Sequence, residues 1–374
     1  MTTVAIDARF WRAEPSGIGA VVAAQVTRLP SRASDLEFVL ITHPSRPTPV
    51  CAPNVRCLVA PYVPDGPGTM LALGGWLRAR ATWDVFHGAS SALPHDVGPR
   101  TVVTLHAVMW LDDPALVRRA GPWGLAETLF YRHAMGRAAR RASALVVPSE
   151  ATRERATRWT GDGARRITVT PWGLPDAFRR PAPTARALSL SRHGVTTPRY
   201  ALVVGKSAGY KNHDGAVRAF ARAFRGDPST SLGLVQRAGD GADRLRALAA
   251  SLGVGDQVHA VPAESDEELA ALYAGAHALL HPSVCEGFGF PLLEAMAMGC
   301  PVVASDAASL PEVGGDAALY AAPDDATTLA RHLRALLDPD VRRLHVERGR
   351  RRVERASWDA CVDATAEVYR RLAR

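Results

Sequence analysis

Two glutamates eight positions apart, Glu286 and Glu294, stand in the run CEGFGFPLLEAMAMG, between one apolar stretch and the next. Gly287 and Gly289 let the backbone approach a ligand closely, and Pro291 suits the opening of a helix, which puts Glu294 near a helix start. A helix N-terminus attracts an anion such as pyrophosphate. Glu286 then points from the loop toward a sugar, and Glu294 accepts hydrogen bonds from ribose hydroxyls. A plain strand-turn-helix with an acidic start spells the same letters.

A second group lies in VVGKSAGYKN, Val203 to Asn212. Of 45 basic residues, only Lys206 and Lys211 are lysine. Two compact ammonium groups after a strand and its Gly205 can grip a diphosphate and neutralise the charge that develops as it leaves. Gly205, Lys206 and Ser207 also spell the end of a P-loop, but the first glycine of that motif would have to be residue 200, which is Tyr200.

Three weaker signals remain. Gly17-Ile18-Gly19 opens a helix after Asp7, yet fails as a dinucleotide fingerprint: Val22 holds the last glycine position, and Ile41 and Thr42 end the second strand without an acid. His106 ends the apolar run that starts at Thr101, where a lone histidine is commonly structural or solvent-facing. Asp338-Pro339-Asp340 has the spelling of a metal motif but falls between two helices, where it reads as a turn.

These residues need a scaffold, and the chain supplies one by alternating short Val/Ile/Leu runs with helical patterns, the mark of parallel sheets covered by helices. The first series is Val4 to Asp7, Glu37 to Thr42, Val55 to Pro61, Asp84 to Gly88, Arg100 to His106, Ser143 to Ser149 and Arg166 to Trp172. Its helices include Ile18 to Leu29, Thr69 to Ala81 and Trp123 to Arg141. The second series is Tyr200 to Gly205, Thr230 to Gln236, Gln257 to Val261, His277 to Ser283 and Pro301 to Asp306. Ser265 and Glu268 form a capping box that starts a helix, and three helices are predicted from Asp324 to the end. The expected division is an N-terminal domain over 1–180, a Pro/Ser/Thr-rich linker over 181–198, a C-terminal domain over 199–355, and a last helix over 356–374 that returns to the first domain.

At 374 residues, with 47% hydrophobic and 22% charged, the chain can bury two cores. No apolar run nears the roughly 20 residues that span a bilayer, and the opening MTTVAIDARF lacks the features of a signal peptide, so a cytoplasmic protein is expected. Five cysteines without CxxC spacing indicate neither a disulfide framework nor a zinc site. Residues 1–180 carry 22 arginines against 14 acidic side chains, whereas the remainder is balanced. The basic half suits an anionic partner, a phosphorylated acceptor or an acidic membrane surface, and a solvated surface explains it equally. The arginine-rich, aromatic segment Arg118 to Arg141 likewise reads either as a membrane-surface helix or as an ordinary helix on the sheet.

The block Glu286 to Tyr320 resembles the signature region of the retaining glycosyltransferases of family 4, and the likeness extends upstream through LRALAASLGVGDQVHAVPAESDEELAALYAGAHALLHPS and more loosely to DARFWRAEPSGIGAVV and VVTLHAVMWLDDP. The resemblance implies an α/β, GT-B fold of two Rossmann-like, doubly wound domains facing across a cleft. It makes Glu286 and Glu294 the E-x7-E pair, turns Lys206 and Lys211 toward the donor phosphates, and puts Gly287, Phe288, Gly289 and Phe290 about the diphosphate. Gly17 and Gly19 then reach the diphosphate or the acceptor, and His106 contacts the transferred sugar. Where an aspartate often follows that histidine, this chain has Ala107.

The expected reaction is therefore transfer of a sugar, mannosyl slightly favoured, from a nucleoside-diphosphate sugar to an acceptor hydroxyl with retention. No metal or other cofactor and no nucleic acid is called for. The acceptor is a glycan, a lipid-linked molecule or a small molecule, and a peripheral contact with the inner face of an anionic membrane stays open. The alternatives are a nucleotide-sugar epimerase or hydrolase of the same fold, and a binding protein without catalysis.

Overall fold

The structure is a computed structural model describing residues 1–11, 17–46, 50–64, 66–118, 121–161, 163–179, 195, 197–235, 242–263 and 265–374. Most of the expected linker, 181–194 and 196, lies outside these residues, as does Gln236 at the end of one expected strand. The chain forms two compact units, Met1–Gly173 with Ser357–Arg374, and Leu174–Ala356.

The first unit is built on seven strands, β1 (Thr2–Asp7), β2 (Leu36–Thr42), β3 (Val55–Val59), β4 (Val85–Gly88), β5 (Thr101–Thr104), β6 (Ala144–Val147) and β7 (Ile167–Val169), in the order β3-β2-β1-β4-β5-β6-β7. Every pairing is parallel. Such a sheet must be covered on both faces, which is why its strands are nearly continuous apolar runs. The covering helices are α1 (Ile18–Arg32), α2 (Pro67–Leu71), α3 (Leu73–Arg78), α4 (Met109–Asp112), α5 (Gly121–Arg141) and α6 (Glu150–Thr160). The helix expected over Thr69 to Ala81 is broken into α2 and α3. Gly74 explains the close packing there, since a Cβ on it would lie 2.0 Å from the His95 carbonyl oxygen.

The second unit has six strands, β8 (Arg199–Val204), β9 (Thr230–Val235), β10 (Val258–Ala260), β11 (Ala278–His281), β12 (Val302–Ser305) and β13 (Ala318–Ala321), in the order β10-β9-β8-β11-β12-β13 and again parallel. Its helices are α7 (His213–Phe224), α8 (Ala242–Ser251), α9 (Asp266–Gly275), α10 (Phe290–Ala297), α11 (Leu310–Gly314), α12 (Ala326–Ala335) and α13 (Pro339–Glu354). Phe220, Phe224, Leu232, Leu280 and Leu333 fill the core between sheet and helices. The Ser265 hydroxyl accepts from the Glu268 amide at 3.1 Å and caps α9.

α14 (Trp358–Ala373) belongs to the first unit, where Val362, Ala366 and Tyr369 join Val4, Ile6 and Val26 in one core. The Tyr369 hydroxyl lies 2.6 Å from His87 Nδ1, and the far nitrogen of that ring is 2.8 Å from Thr104 Oγ1. The passage between units falls at Leu174 instead of after residue 180. Its cause is Phe178, buried against Tyr273 with ring centroids 6.1 Å apart, which ties residues 174–179 to the second unit.

Candidate functional site

In the second unit the strand order reverses between β8 and β11, and ligands of open parallel sheets bind beyond the carboxyl ends of strands at such a point. Lys206 and Lys211 follow β8, and Glu286 follows β11. Lys206 is exposed in the loop. Lys211 ends a 3-10 turn, Gly209–Lys211, and its Nζ lies 2.7 Å from Glu286 Oε1, both side chains 10% exposed. Gly205 makes this possible: its φ is +139°, and a Cβ there would sit 3.1 Å from Lys211 Cε.

Asn212 fastens the two strand ends together. Its backbone is left-handed, its Oδ1 accepts from the Gly215 amide at 3.1 Å to cap α7, and its Nδ2 donates to the carbonyls of Pro282 at 3.1 Å and Pro323 at 2.7 Å. On the other side, Ser309 Oγ donates to the carbonyls of Glu286 at 3.0 Å and Phe288 at 2.7 Å. The Glu286 loop is thus held by side chains from two other segments.

Glu286 Oε1 also accepts from Ser283 Oγ at 2.8 Å and from His281 Nε2 at 3.2 Å. Burial alone would raise its pKa, but the Lys211 ammonium and the His281 hydrogen bond prevail and hold it at about 2. Lys211 shows the converse balance: burial lowers its pKa, yet Glu286, Tyr210 and Glu294 together raise it. Glu286 and Lys211 therefore form an ion pair throughout the neutral range.

Glu294 lies one turn into α10, whose N-cap is Gly289 at φ 113° and whose first turn contains Pro291. Burial raises the Glu294 carboxyl to about 7, against the hydrogen bond it accepts from the Tyr273 hydroxyl at 3.1 Å. Gly287 and the side chains of Phe288 and Phe290 are buried, the two rings meeting edge to face at 5.5 Å, so these aromatic groups pack the loop's underside. The structure thus brings together Lys211, Glu286 and Glu294, and puts Lys206 on the same strand-end loop as Lys211. His281, Ser283, Tyr273, Asn212 and Ser309 escaped the sequence reading. Asn212 directly follows Lys211, and Ser283 and His281 stand three and five residues before Glu286, near enough in sequence to suggest themselves, whereas Tyr273 and Ser309 do not.

In the first unit, Gly17 is exposed at φ +56° ahead of α1 and Gly19 is buried in its first turn; residues 12–16 of the preceding loop lie outside the described residues. His106 follows β5 and is buried. Its Nε2 lies 2.7 Å from the Ala89 carbonyl oxygen, to which it donates, and its ring centre is 5.3 Å from that of Trp172. Nδ1 is buried without a hydrogen-bond partner among the described residues. Burial brings the pKa down to about 4 even though the Ala89 bond opposes it, so the ring is neutral and Nδ1 is an acceptor. Buried acceptors are rarely left unmatched, which separates His106 from an ordinary core histidine. Asp338, the other residue singled out, is the N-cap of α13, its Oδ1 accepting from the Asp340 amide at 2.8 Å.

Two family models match: one described as Glycosyltransferase Family 4 over residues 15–178, and one described as Glycosyl transferases group 1 over 190–352. Among its relatives, the chain is 28% identical to the O-antigen chain mannosyltransferase B of Escherichia coli, over 77% of this chain and 74% of that one. It is 31% identical to a D-inositol 3-phosphate glycosyltransferase of Kineococcus radiotolerans, over 79% and 68% respectively. Among solved structures, the sucrose-phosphate synthase of Thermosynechococcus elongatus superimposes with a TM-score of 0.73 at 21% identity, covering 100% of this chain and 99% of that one.

Proposed function

This chain belongs to the glycosyltransferases of family 4 type with the GT-B fold, and we propose on that basis that it moves a sugar from a nucleoside-diphosphate donor to an acceptor hydroxyl with retention at the anomeric carbon. The observation that carries the donor site is the convergence of Lys211, Glu286 and Glu294 where the order of the second sheet reverses. Lys206, Lys211 and the positive end of α10 neutralise the diphosphate. Glu286 orients the sugar and Glu294 accepts from ribose. His106 offers its Nδ1 to a substrate hydroxyl. As the bond from the anomeric carbon to the diphosphate breaks, the acceptor oxygen bonds to that carbon on the same face, and the acceptor's proton passes to the departing phosphate oxygen. With two lysines at the phosphates, the step is assigned no metal.

Replacing Lys211 or Glu294 by alanine is expected to lower transfer about tenfold or more with the fold retained. Near-normal transfer by either variant overturns the assignment. A mannosyl donor is favoured, because the Escherichia coli relative is named a mannosyltransferase. A thermal-shift panel of UDP, GDP, ADP and dTDP identifies the nucleotide, since a bound ligand stabilises the folded state according to its affinity.

The acceptor's surroundings are suggested by α5. Trp123, Leu125 and Leu129 are 88%, 50% and 61% exposed, on the same helix as exposed Arg132, Arg140 and Arg141. Apolar and cationic groups on one helix suit an anionic bilayer surface. No helix among the described residues is long and apolar enough to cross a membrane, so the contact is peripheral. Sedimentation with phosphatidylglycerol vesicles tests it: Trp123→Ser with Leu129→Ser must lower the bound fraction.

A further inference from the structure

Three donors converge on one oxygen of Glu286. Lys211 Nζ, Ser283 Oγ and His281 Nε2 lie 2.7, 2.8 and 3.2 Å from Oε1. These three donors differ in kind. His281 is the last residue of β11 and is 2% exposed, and Ser283 is fully buried in the turn that follows. Their backbone is fixed by the β11–β12 ladder and by the bond from Asn212 to the Pro282 carbonyl. Lys211, by contrast, reaches Oε1 along a four-carbon stem from a different strand end.

We propose that His281 is a positioning residue: it keeps the Glu286 carboxylate aimed at the donor sugar when Lys211 turns from that carboxylate to the donor diphosphate. The proposal rests on the donor-site reading above. A diphosphate carries more negative charge than one carboxylate and draws the ammonium toward itself. Glu286 then loses its nearest donor, and a buried carboxylate short of hydrogen bonds rotates toward whatever donor it can find. The imidazole prevents this without competing for the lysine. It faces the carboxylate with Nε2, so the proton sits there, and burial lowers its pKa so that it brings a hydrogen bond but no net charge. With Oε1 anchored by His281 and Ser283, Oε2 is left to meet a sugar hydroxyl.

The test compares His281→Leu with His281→Gln, whose side-chain amide nitrogen reaches about as far as Nε2 and can still donate. Each variant is first shown to melt with the wild-type cooperativity. The leucine variant should bind the nucleoside diphosphate selected by the thermal-shift panel as the wild type does. It should lose about tenfold in the ratio of sugar-nucleotide to nucleoside-diphosphate affinity, and about tenfold in kcat, and glutamine should restore most of both. A leucine variant with wild-type kcat and ratio overturns the proposal. So does an equal loss of affinity for both ligands, which marks a merely structural role.

A nitrogen NMR spectrum of the donor-free chain decides the pairing independently of any substrate. His281 should be the Nε2–H tautomer, with a signal that moves in Glu286→Gln, and the opposite tautomer overturns the proposal. Should the wild type bind no sugar nucleotide, the donor reading fails, while the spectrum still judges whether His281 holds Glu286.

Discussion

A carboxyl group that titrates near neutrality couples ligand affinity to pH, and burial puts Glu294 there, at about 7. If ribose hydroxyls donate to its ionised form, donor affinity falls about tenfold per pH unit below 7, and the dependence flattens in Glu294→Gln. Stability runs the opposite way. The folded pKa is raised above the unfolded value, so this group's contribution is complete below the ordinary carboxylate range and is lost as pH rises through about 7. Glu286 behaves inversely: its folded pKa of about 2 is depressed, and its contribution is present above the unfolded value and lost only as pH falls toward 2. Donor titrations at several pH values, paired with urea melts of Glu294→Gln, check both signs. At this scale the sequence revealed residues whose type is rare or whose spacing is chemical, Lys211 and the two glutamates. Tyr273 was illegible because it acquires its role only when α9 folds against α10, and His281 because a lone histidine ending a buried strand has no spacing that marks it as a donor to Glu286.

At the scale of elements, two glycines permit the site. A Cβ on Gly289 would stand 2.8 Å from Leu310 Cδ2, at a φ of +113° that L side chains avoid. Gly289→Ala is therefore expected to cost about 1–3 kcal/mol in denaturant titrations, through strain at the start of α10. Gly205→Ala puts a methyl against the Lys211 stem, and its affinity for the nucleoside diphosphate should fall by more than its stability accounts for. Strands were readable wherever burial on both faces made an unbroken apolar run. β13 was not read although it sits in the apolar run Ala317–Ala322, which is rich in alanine, a weak strand former, and whose two larger residues are only half-buried. Nor could letters alone show the interruption between α2 and α3 at Ala72, where the backbone keeps right-handed helical angles.

Across the whole molecule, each unit has its own core, and their stabilities can be probed separately. Tyr369→Phe removes the hydroxyl that meets buried His87, leaving Nδ1 of that ring unmatched. The loss should be about 1–3 kcal/mol in the first unit alone. Amide exchange that quickens in β1, β4 and β5 but not in β8 and β11 is the expected signature. The two-sheet architecture was visible in the alternation of apolar runs and helices. The residue at which the chain changes units was not, because that depends on where the single ring of Phe178 is buried.

The first unit's discontinuity has a temporal consequence. A ribosome that has made residues 1–173 has delivered all seven strands of that sheet but not the helix that supplies Val362, Ala366 and Tyr369 to its interior. The nascent sheet must wait, with that apolar face incompletely covered, while the intervening 183 residues are synthesised and can already close around a core of their own. During synthesis, then, the later-encoded half is the first able to finish.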